Sequence, residues 1–422
     1  MEKHLTPAEI ILVPADDLAV RRRSFSAIRG RLTSIDALRG VAALVVTIGH
    51  GFSTDSALLT AYLSSASGAI LWLLMPVFRY GYTGVFLFFI ISGFCIHMRW
   101  AKAAALGEQP EVDFNSFWKR RIRRLYPAYL VVLALYLAIG LWQGHLRADW
   151  FTAYDTVMHL LMLHNLDIRT CYSINGVFWT LAIEEQLYLA YFLLLAMRRR
   201  LSWQWMLAIT FACRVGWFGL CFVAHRWLGW EIPAYEAAFS NWCVWTLGAV
   251  CVEARYGAIK LPPRYYSLWW GGLFLLSAAV TDYVDRSADP HGLLHKFIWL
   301  VNTPLWGIGF FFVVNRFTAA EADWAGRRQA PRLVTWAAAL GVFSYSLYLT
   351  HELVLTYPGK ALGNWLGLSE NAGIVLGWVL LCPASILFAR VFFEFFEKPF
   401  LNSPTQGIVI NQVAKADSLW LR

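Results

Sequence analysis

The sequence predicts an all-α, polytopic membrane protein with about ten transmembrane helices. Of its 422 residues, 58% are hydrophobic and only 15% are charged, whereas soluble domains carry about 25% charged residues. Apolar segments long enough to cross a hydrocarbon core of about 30 Å recur along the chain. Lys and Arg gather in short runs between these segments. This placement explains the formal charge of +9 by membrane topology, so the expected partner is a lipid bilayer and no nucleic acid is expected.

The hydropathy pattern predicts ten spans in order along the chain. They cover residues 35–53, 80–98, 125–143, 179–197, 203–222, 237–254, 267–281, 297–315, 333–357 and 373–396. Residues 151–165 are only half apolar and predict a re-entrant or interfacial segment. Lys and Arg concentrate in both tails and in alternate loops, which predicts cytoplasmic termini. We expect a flexible basic tail over 1–33, a membrane domain over 34–400 and a short cytoplasmic tail over 401–422.

The first span carries charged and polar side chains that an ordinary span would lack. Arg39 and His50 are eleven positions apart, which places them about 20° apart on one helix face and about 16 Å apart along the axis. Ionisable groups inside a membrane indicate a functional site by default. An alternative of equal weight is that Arg39 reaches the lipid headgroups while His50 caps the span near water.

A basic run enters the third span from the predicted cytoplasmic side. Arg121 and Arg124 share a helix face, as do Arg120 and Arg123. Such a fork suits phosphate groups, because guanidinium groups bind them bidentately. On charge alone, ordinary positive-inside topology explains the run better.

Two adjacent carboxylates open the fourth span from the predicted outer side. Glu184 lies about 8 Å below the outer edge, and this depth nearly matches that of His50 reached from the other side. A His and a carboxylate at one depth could form a base with its orienting partner. Adjacent helical residues point about 100° apart, so only one of Glu184 and Glu185 should face a given cavity. A functional role is favoured over a structural one because paired carboxylates in a span are costly.

A polar stripe follows the ninth span. Ser344, Tyr348 and His351 have i, i+4, i+7 spacing, which suits either acceptor binding or interhelical hydrogen bonding with an aromatic belt. No metal site is expected, because the seven cysteines form no CxxC pair and the spaced pair His291 and His295 has no third ligand.

These segments together resemble the membrane-bound acyltransferase-3 family, bacterial O-acyltransferases that modify envelope glycans and some small molecules. The matching motifs are Ile35-Asp-Ala-Leu-Arg-Gly40 with His50, Gly84-Val-Phe-Leu-Phe-Phe-Ile-Ile-Ser-Gly-Phe94, Arg120-Arg-Ile-Arg-Arg-Leu-Tyr-Pro127, Trp179-Thr-Leu-Ala-Ile-Glu-Glu-Gln-Leu-Tyr188, Ser344-Tyr-Ser-Leu-Tyr-Leu-Thr-His351 and Phe396-Glu-Lys-Pro-Phe400. Their order along residues 34–400 is that of the family.

The resemblance implies a catalytic role for His50 with Glu184 as its acidic partner, and donor binding by Arg39, Arg121 and Arg124. Beside these, we expect supporting or acceptor-side roles for Glu185, Tyr188, Ser344, Tyr348 and His351. Acetyl-CoA or another acyl-CoA is then a co-substrate, and no permanently bound cofactor is expected. The expected acceptor is a hydroxyl group of an exported polysaccharide, lipopolysaccharide or lipo-oligosaccharide, and the expected location is the bacterial inner membrane.

Two alternative functions stay open at the level of sequence. The acceptor could be a small molecule such as a macrolide, with specificity set by the outer segments 51–79 and 144–178. The intramembrane His, Glu and Arg could instead serve a proton-coupled transporter or flippase. Transporters commonly contain paired repeats, and the two halves of this chain show no evident symmetry, so the enzyme is favoured.

Overall fold

The computed structural model describes residues 32–50, 79–108, 111–289, 292–326, 330–367 and 377–401. Every regular element in these ranges is helical, as the sequence predicts. In chain order the α-helices are α1 Thr33–His50, α2 Gly84–Ala105, α3 Phe114–Trp142, α4 Trp150–Leu160, α5 Ile168–Cys171, α6 Trp179–Arg198, α7 Trp203–Val223, α8 Ala238–Tyr256, α9 Leu268–Asp285, α10 Leu293–Gly326, α11 Arg332–Val342, α12 Ser344–Trp365 and α13 Cys382–Phe392.

The described residues divide into two compact units. The first unit contains the described parts of Thr83–Glu111 and Tyr136–Asp323. The second unit contains the described parts of Ile28–Tyr82, Val112–Leu135 and Trp324–Arg422. The helices α1, α11, α12 and α13 therefore belong to the second unit, and α2 and α4 to α9 belong to the first.

In the first unit, α2 and α8 pack with their backbones in close approach. A Cβ atom added to Gly248 would lie 1.9 Å from the carbonyl oxygen of Ile90, so only glycine fits there. Trp245, also on α8, is fully buried beside this contact. Close backbone approach at small residues is how helices gain packing energy in a membrane, where lipid offers no hydrophobic driving force.

A buried ion cluster joins four helices of the first unit. Glu253 on α8 accepts hydrogen bonds from Arg198 Nη2 at 2.8 Å and from Trp203 Nε1 at 2.9 Å. His97 Nε2 lies 2.9 Å from the other carboxylate oxygen of Glu253. Because each buried charge has an opposite charge or a donor beside it, the cost of its desolvation is offset. The cluster connects α2, α6, α7 and α8 to one another.

The segment around residues 151–165 forms α4 and the turn after it. Its three polar interruptions, Asp155, His159 and His164, are all almost completely buried. The two imidazole rings stack with centroids 3.9 Å apart and an interplanar angle of 6°, and Asp155 Oδ1 lies 3.1 Å from His159 Nδ1. These polar residues therefore lie in the protein interior of the first unit.

In the second unit, α1 packs against α11. A Cβ atom on Gly341 would lie 1.8 Å from the carbonyl oxygen of Asp36. The carboxylate of Glu397 accepts hydrogen bonds from the hydroxyl of Ser346 at 2.6 Å and from its backbone nitrogen at 3.2 Å. The start of α12 is thus attached to the segment that follows α13.

The predicted ninth span over 333–357 corresponds to two helices joined by a bend. The chain bends by 73° between Arg332–Val342 and Ser344–Pro358. The backbone nitrogen of Phe343 bonds Leu340, three residues back, and Ser344 Oγ donates to the carbonyl of Gly341 at 3.0 Å. These bonds end α11 because they replace the i to i−4 pattern of an α-helix.

Six helices among the described residues are long and apolar enough to cross a membrane, or seven if the bent pair is one span. They are Gly81–Ala105, Phe114–Trp142, Trp179–Arg198, Trp203–Leu228, Leu293–Glu321 and Val379–Phe400. The predicted spans one, six and seven correspond to α1, α8 and α9, which fall outside this set. The multi-pass character is therefore supported, while the number ten and the side of each terminus stay predictions.

Candidate active site

His50 is the last residue of α1, and the helix itself orients its ring. The Nδ1 atom lies 2.9 Å from the carbonyl oxygen of Val46, one turn earlier. A carbonyl oxygen only accepts, so this contact places a proton on Nδ1, and in the neutral ring Nε2 then carries the lone pair. The side chain is 30% exposed. His50 therefore presents an accessible nitrogen that can accept a proton.

His351 on α12 lies beside His50, and its ring is oriented by the same device. The two ring centroids are 5.0 Å apart in an edge-to-face arrangement. His351 Nδ1 lies 2.8 Å from the carbonyl oxygen of Tyr348, and no residue in the described ranges hydrogen-bonds its Nε2. His351 is fully buried, so its Nε2 is a second acceptor atom held in a fixed position.

Glu352 completes a group that we call the His–His–Glu cluster, formed by His50, His351 and Glu352. Its Oε1 atom lies 3.6 Å from His50 Nε2, and one ligand atom from each residue lies within 4.8 Å of the others. Such a set can coordinate a cation, and it equally suits a ligand that donates hydrogen bonds. The sequence reasoning missed Glu352, although a carboxylate within an apolar segment is itself a signal of function.

Arg39 lies in the same unit as His50, on the same helix. Its guanidinium is half-buried, 3.9 Å from Asp36 Oδ1 one turn earlier. The helix α1 is continuous from Thr33 to His50. The predicted alignment of Arg39 and His50 on one regular helix is therefore present, although the role of Arg39 in donor binding stays a prediction.

The structure distinguishes the two arginine pairs of α3. Arg121 and Arg124 are half-buried, whereas Arg120 and Arg123 are exposed. The guanidinium of Arg121 lies over the ring of Phe117 at 5.5 Å, which orients it. The pair that matches the family motif is thus the inward pair, as a positioned phosphate site requires.

Glu184 belongs to the first unit and is held there by donors. Its Oε1 accepts hydrogen bonds from Ser92 Oγ at 2.8 Å and from the hydroxyl of Tyr188. Trp245 Nε1 donates to Ser92 Oγ at 3.2 Å, so the chain of donors continues to α8. Glu185 is buried whereas Glu184 is half-buried, in agreement with the expectation that the two face different surroundings. The predicted pairing of His50 with Glu184 stays a prediction.

The remaining candidates have local contacts. Ser344 caps the end of α11, and Tyr348 is buried with its ring 5.8 Å from that of His351. His295 Nδ1 lies 2.8 Å from Asp285 Oδ1, while His291 and the predicted acceptor segment up to residue 78 lie outside the described residues. Ser92 and Trp245 were not singled out, because a lone Ser or Trp in an apolar span has no distinguishing pattern.

Curated relatives resemble parts of the chain. A Bacillus subtilis (strain 168) protein named as a peptidoglycan O-acetyltransferase, YrhL, is 24% identical over 76% of this chain and 50% of its own length. An acetyltransferase from Acidianus two-tailed virus, ORF330, is 28% identical over 41% of this chain and 52% of its own. The O-acetyltransferase OatA of Staphylococcus aureus (strain NCTC 8325 / PS 47) is 31% identical over 26% of this chain and 19% of its own.

The chain therefore spans about half the length, or less, of the curated relatives it matches. No solved structure matches it significantly. The model of the Acyl_transf_3 family, described as an acyltransferase domain, matches residues 32–394. This match includes α1 with His50, the arginine pair of α3, Glu184 and the His–His–Glu cluster, and by it the chain belongs to the acyltransferase-3 family.

Proposed function

We propose that the chain is an O-acetyltransferase of the membrane, which moves an acetyl group from acetyl-CoA on the cytoplasmic side to a hydroxyl group of an envelope glycan. The observation that carries the proposal is His50, which lies within the family match and whose ring is held through Nδ1 by the Val46 carbonyl, so that Nε2 is available to accept a proton. The name of the relative YrhL adds peptidoglycan to the acceptors that merit testing.

In the proposed reaction, His50 acts on the acceptor hydroxyl. Its Nε2 takes the hydroxyl proton while the oxygen attacks the thioester carbonyl of acetyl-CoA. The new C–O ester bond forms, the C–S bond breaks, and the thiolate leaves with the proton returned by His50 as CoA-SH. General-base assistance of this kind contributes about 10²–10⁴-fold in rate. Transient transfer of the acetyl group to His50 is a second route with the same overall balance.

The donor would bind through arginine side chains. Arg121 and Arg124 form an inward pair on α3, and guanidinium groups hold phosphate oxygens in a bidentate manner. We assign the CoA phosphates to this pair, with Arg39 as a third contact. Glu184 would balance the charge that develops on His50 during transfer, and its hydrogen bonds to Ser92 and Tyr188 keep it in one position.

The test uses membranes that contain the full chain, labelled acetyl-CoA and a glycan acceptor. We expect His50→Ala to lower the transfer rate at least a hundredfold and Glu184→Ala to lower it as well. His295→Ala is the matched control, because His295 belongs to the first unit and pairs with Asp285, and it should keep full activity. Unimpaired transfer by both His50→Ala and Glu184→Ala, at normal protein levels, would remove the proposed function.

A further inference from the structure

The His–His–Glu cluster brings together hydrogen-bond acceptors with the donor hydrogens of both rings directed elsewhere. Both imidazoles use Nδ1 to contact backbone carbonyls, at Val46 for His50 and at Tyr348 for His351. One ligand atom from each of His50, His351 and Glu352 lies within 4.8 Å of the others, and His50 Nε2 is 3.6 Å from Glu352 Oε1. A ligand that donates more than one hydrogen bond can therefore contact this group at several atoms.

The carboxylate of Glu352 lies on the reacting side of His50. In a catalytic triad the carboxylate contacts the ring nitrogen opposite the reacting one. Here the Val46 carbonyl has that orienting place, and Glu352 Oε1 is 3.6 Å from Nε2 itself, too long for a direct hydrogen bond. Glu352 therefore faces the position that the acceptor hydroxyl must occupy to reach His50.

We propose that Glu352 is a specificity-determining residue of the acceptor site. Its carboxylate accepts a hydrogen bond from a hydroxyl or amino group adjacent to the reacting hydroxyl, and it excludes acceptors that carry negative charge at that position. The inference rests on the proposed function and extends it, because it assigns a selection rule to a residue outside the matching motifs.

The geometry gives each acceptor atom a separate task. The reacting hydroxyl donates to His50 Nε2, and its neighbour on the acceptor donates to Glu352 Oε1. The buried ring of His351 packs edge-to-face against His50 and limits the movement of that ring. An anionic group in the neighbour's place would face a carboxylate within a few ångströms. At an effective dielectric constant of about 20, such repulsion weakens binding at least about tenfold.

The experiment measures acyl transfer to methyl glucoside by purified wild-type protein, together with competitive inhibition by the methyl glycoside of glucuronic acid. Wild-type protein should show weak inhibition by the uronate. Glu352→Gln removes the charge with little change in shape, so it should lower the inhibition constant of the uronate at least tenfold and raise the KM for methyl glucoside. The KM for acetyl-CoA should not change, because the donor binds elsewhere.

Two further variants control for charge and for folding. Glu352→Asp keeps the charge and should retain the discrimination against the uronate. Glu394→Gln makes the same chemical exchange in the same unit, at a residue that pairs with Arg390 and Lys398, and it should leave both acceptor constants unchanged. If Glu352→Gln does not fold, loss of discrimination in Glu352→Ala serves as the second measurement.

Each outcome decides a different point. Equal uronate inhibition in wild type and Glu352→Gln would overturn this inference and leave the proposed function standing. Failure of wild-type protein to acylate any neutral glycoside would instead overturn the function on which the inference rests. Metal analysis by mass spectrometry separates the remaining alternative: a stoichiometric metal ion that is lost in His351→Ala would show a metal site and overturn the assignment to the acceptor.

Discussion

At the scale of single residues, backbone carbonyls do the orienting in this site. His50 and His351 each lie near the end of a regular helical turn, and each uses the carbonyl three or four residues back to hold its ring. Because a backbone carbonyl holds Nδ1, no side chain is needed there to orient the ring of His50, and Nε2 remains on the side where substrate is expected to bind. This arrangement also explains why Glu352 can lie on that side and influence what binds there.

The arginines of α3 give a prediction about donor binding. Arg124→Ala should raise the KM for acetyl-CoA about tenfold or more with a smaller change in kcat, because a charge-assisted phosphate contact is lost in the ground state and the transition state alike. Arg123→Ala is the matched control, since Arg123 is exposed on the same helix. Steady-state kinetics at varied acetyl-CoA provide the measurement, and equal KM values for the two variants would contradict the phosphate role.

His164 gives a prediction about pH. Burial, together with the neighbouring His159, lowers the pKa of His164 to about 3 from 6.5. Between these values the unfolded chain binds a proton that the folded chain does not, so stability is full above pH 6.5 and falls as the pH decreases. The loss is up to about 1.4 kcal/mol per pH unit. Asp155 is the carboxylate that contacts the other ring of the stack.

The measurement is the Tm of purified protein between pH 7.5 and pH 5. His164→Phe keeps a flat ring against His159 and removes the titrating group, so its Tm should fall less over this range than that of wild type. Parallel Tm curves for the two proteins would show that His164 is not the group responsible.

At the scale of elements, glycine sets the distance between α1 and α11. Gly341→Ala would place a methyl group 1.8 Å from the backbone carbonyl oxygen of Asp36. The backbones of α1 and α11 would have to move apart to accommodate it. Overpacking of this kind typically costs about 1–3 kcal/mol. We expect a lower Tm and reduced transfer, because α1 carries His50 and α11 precedes the helix with His351 and Glu352.

Gly216→Ala on α7 is the control for this substitution. A Cβ atom there meets nothing within 4 Å, and alanine is the better helix former by about 1 kcal/mol. Its Tm should therefore equal or exceed that of wild type. A Tm for Gly341→Ala that matches the Gly216→Ala value would show that the two helices are not packed as closely as described.

The sequence predicted elements better than it predicted their partners. Period and hydropathy located α6 and α7 to within one residue, because each is a single apolar run. They also found α2, α3 and α10, but α3 begins eleven residues before the predicted span and α10 ends eleven residues after it. The bend at Phe343 was not predicted, because it depends on the hydroxyl of Ser344 and on backbone hydrogen bonds that a hydropathy pattern does not reveal. Glu352 was not predicted for a related reason. It lies beside His50 on α1, which is distant from it in sequence and adjacent in space.

At the scale of the whole molecule, the number of membrane crossings depends on whether α8 and α9 span the bilayer. Both were predicted as spans, and neither belongs to the six helices that pass by length and apolar character. The helix α8 is almost wholly buried, with Glu253 and Asn241 among its buried side chains. A helix surrounded by protein can carry such residues and still cross a membrane, because its polar groups find partners inside the bundle.

Single cysteines at exposed loop positions distinguish ten spans from fewer. We expect Arg200→Cys and Lys260→Cys to be protected from a membrane-impermeant maleimide in intact cells, and His145→Cys and Ser287→Cys to be labelled, because the positive-inside rule places the more basic loops in the cytoplasm. Labelling of Lys260→Cys together with protection of Arg200→Cys would mean that α7 crosses and α8 does not return. Protection of both Lys260→Cys and Ser287→Cys would remove α9 as a span. The four sites are exposed residues. Opposite labelling of Lys260→Cys and Ser287→Cys would show that α9 crosses, and opposite labelling of Arg200→Cys and Lys260→Cys would show that one of α7 and α8 crosses alone, in both cases without any reference to activity.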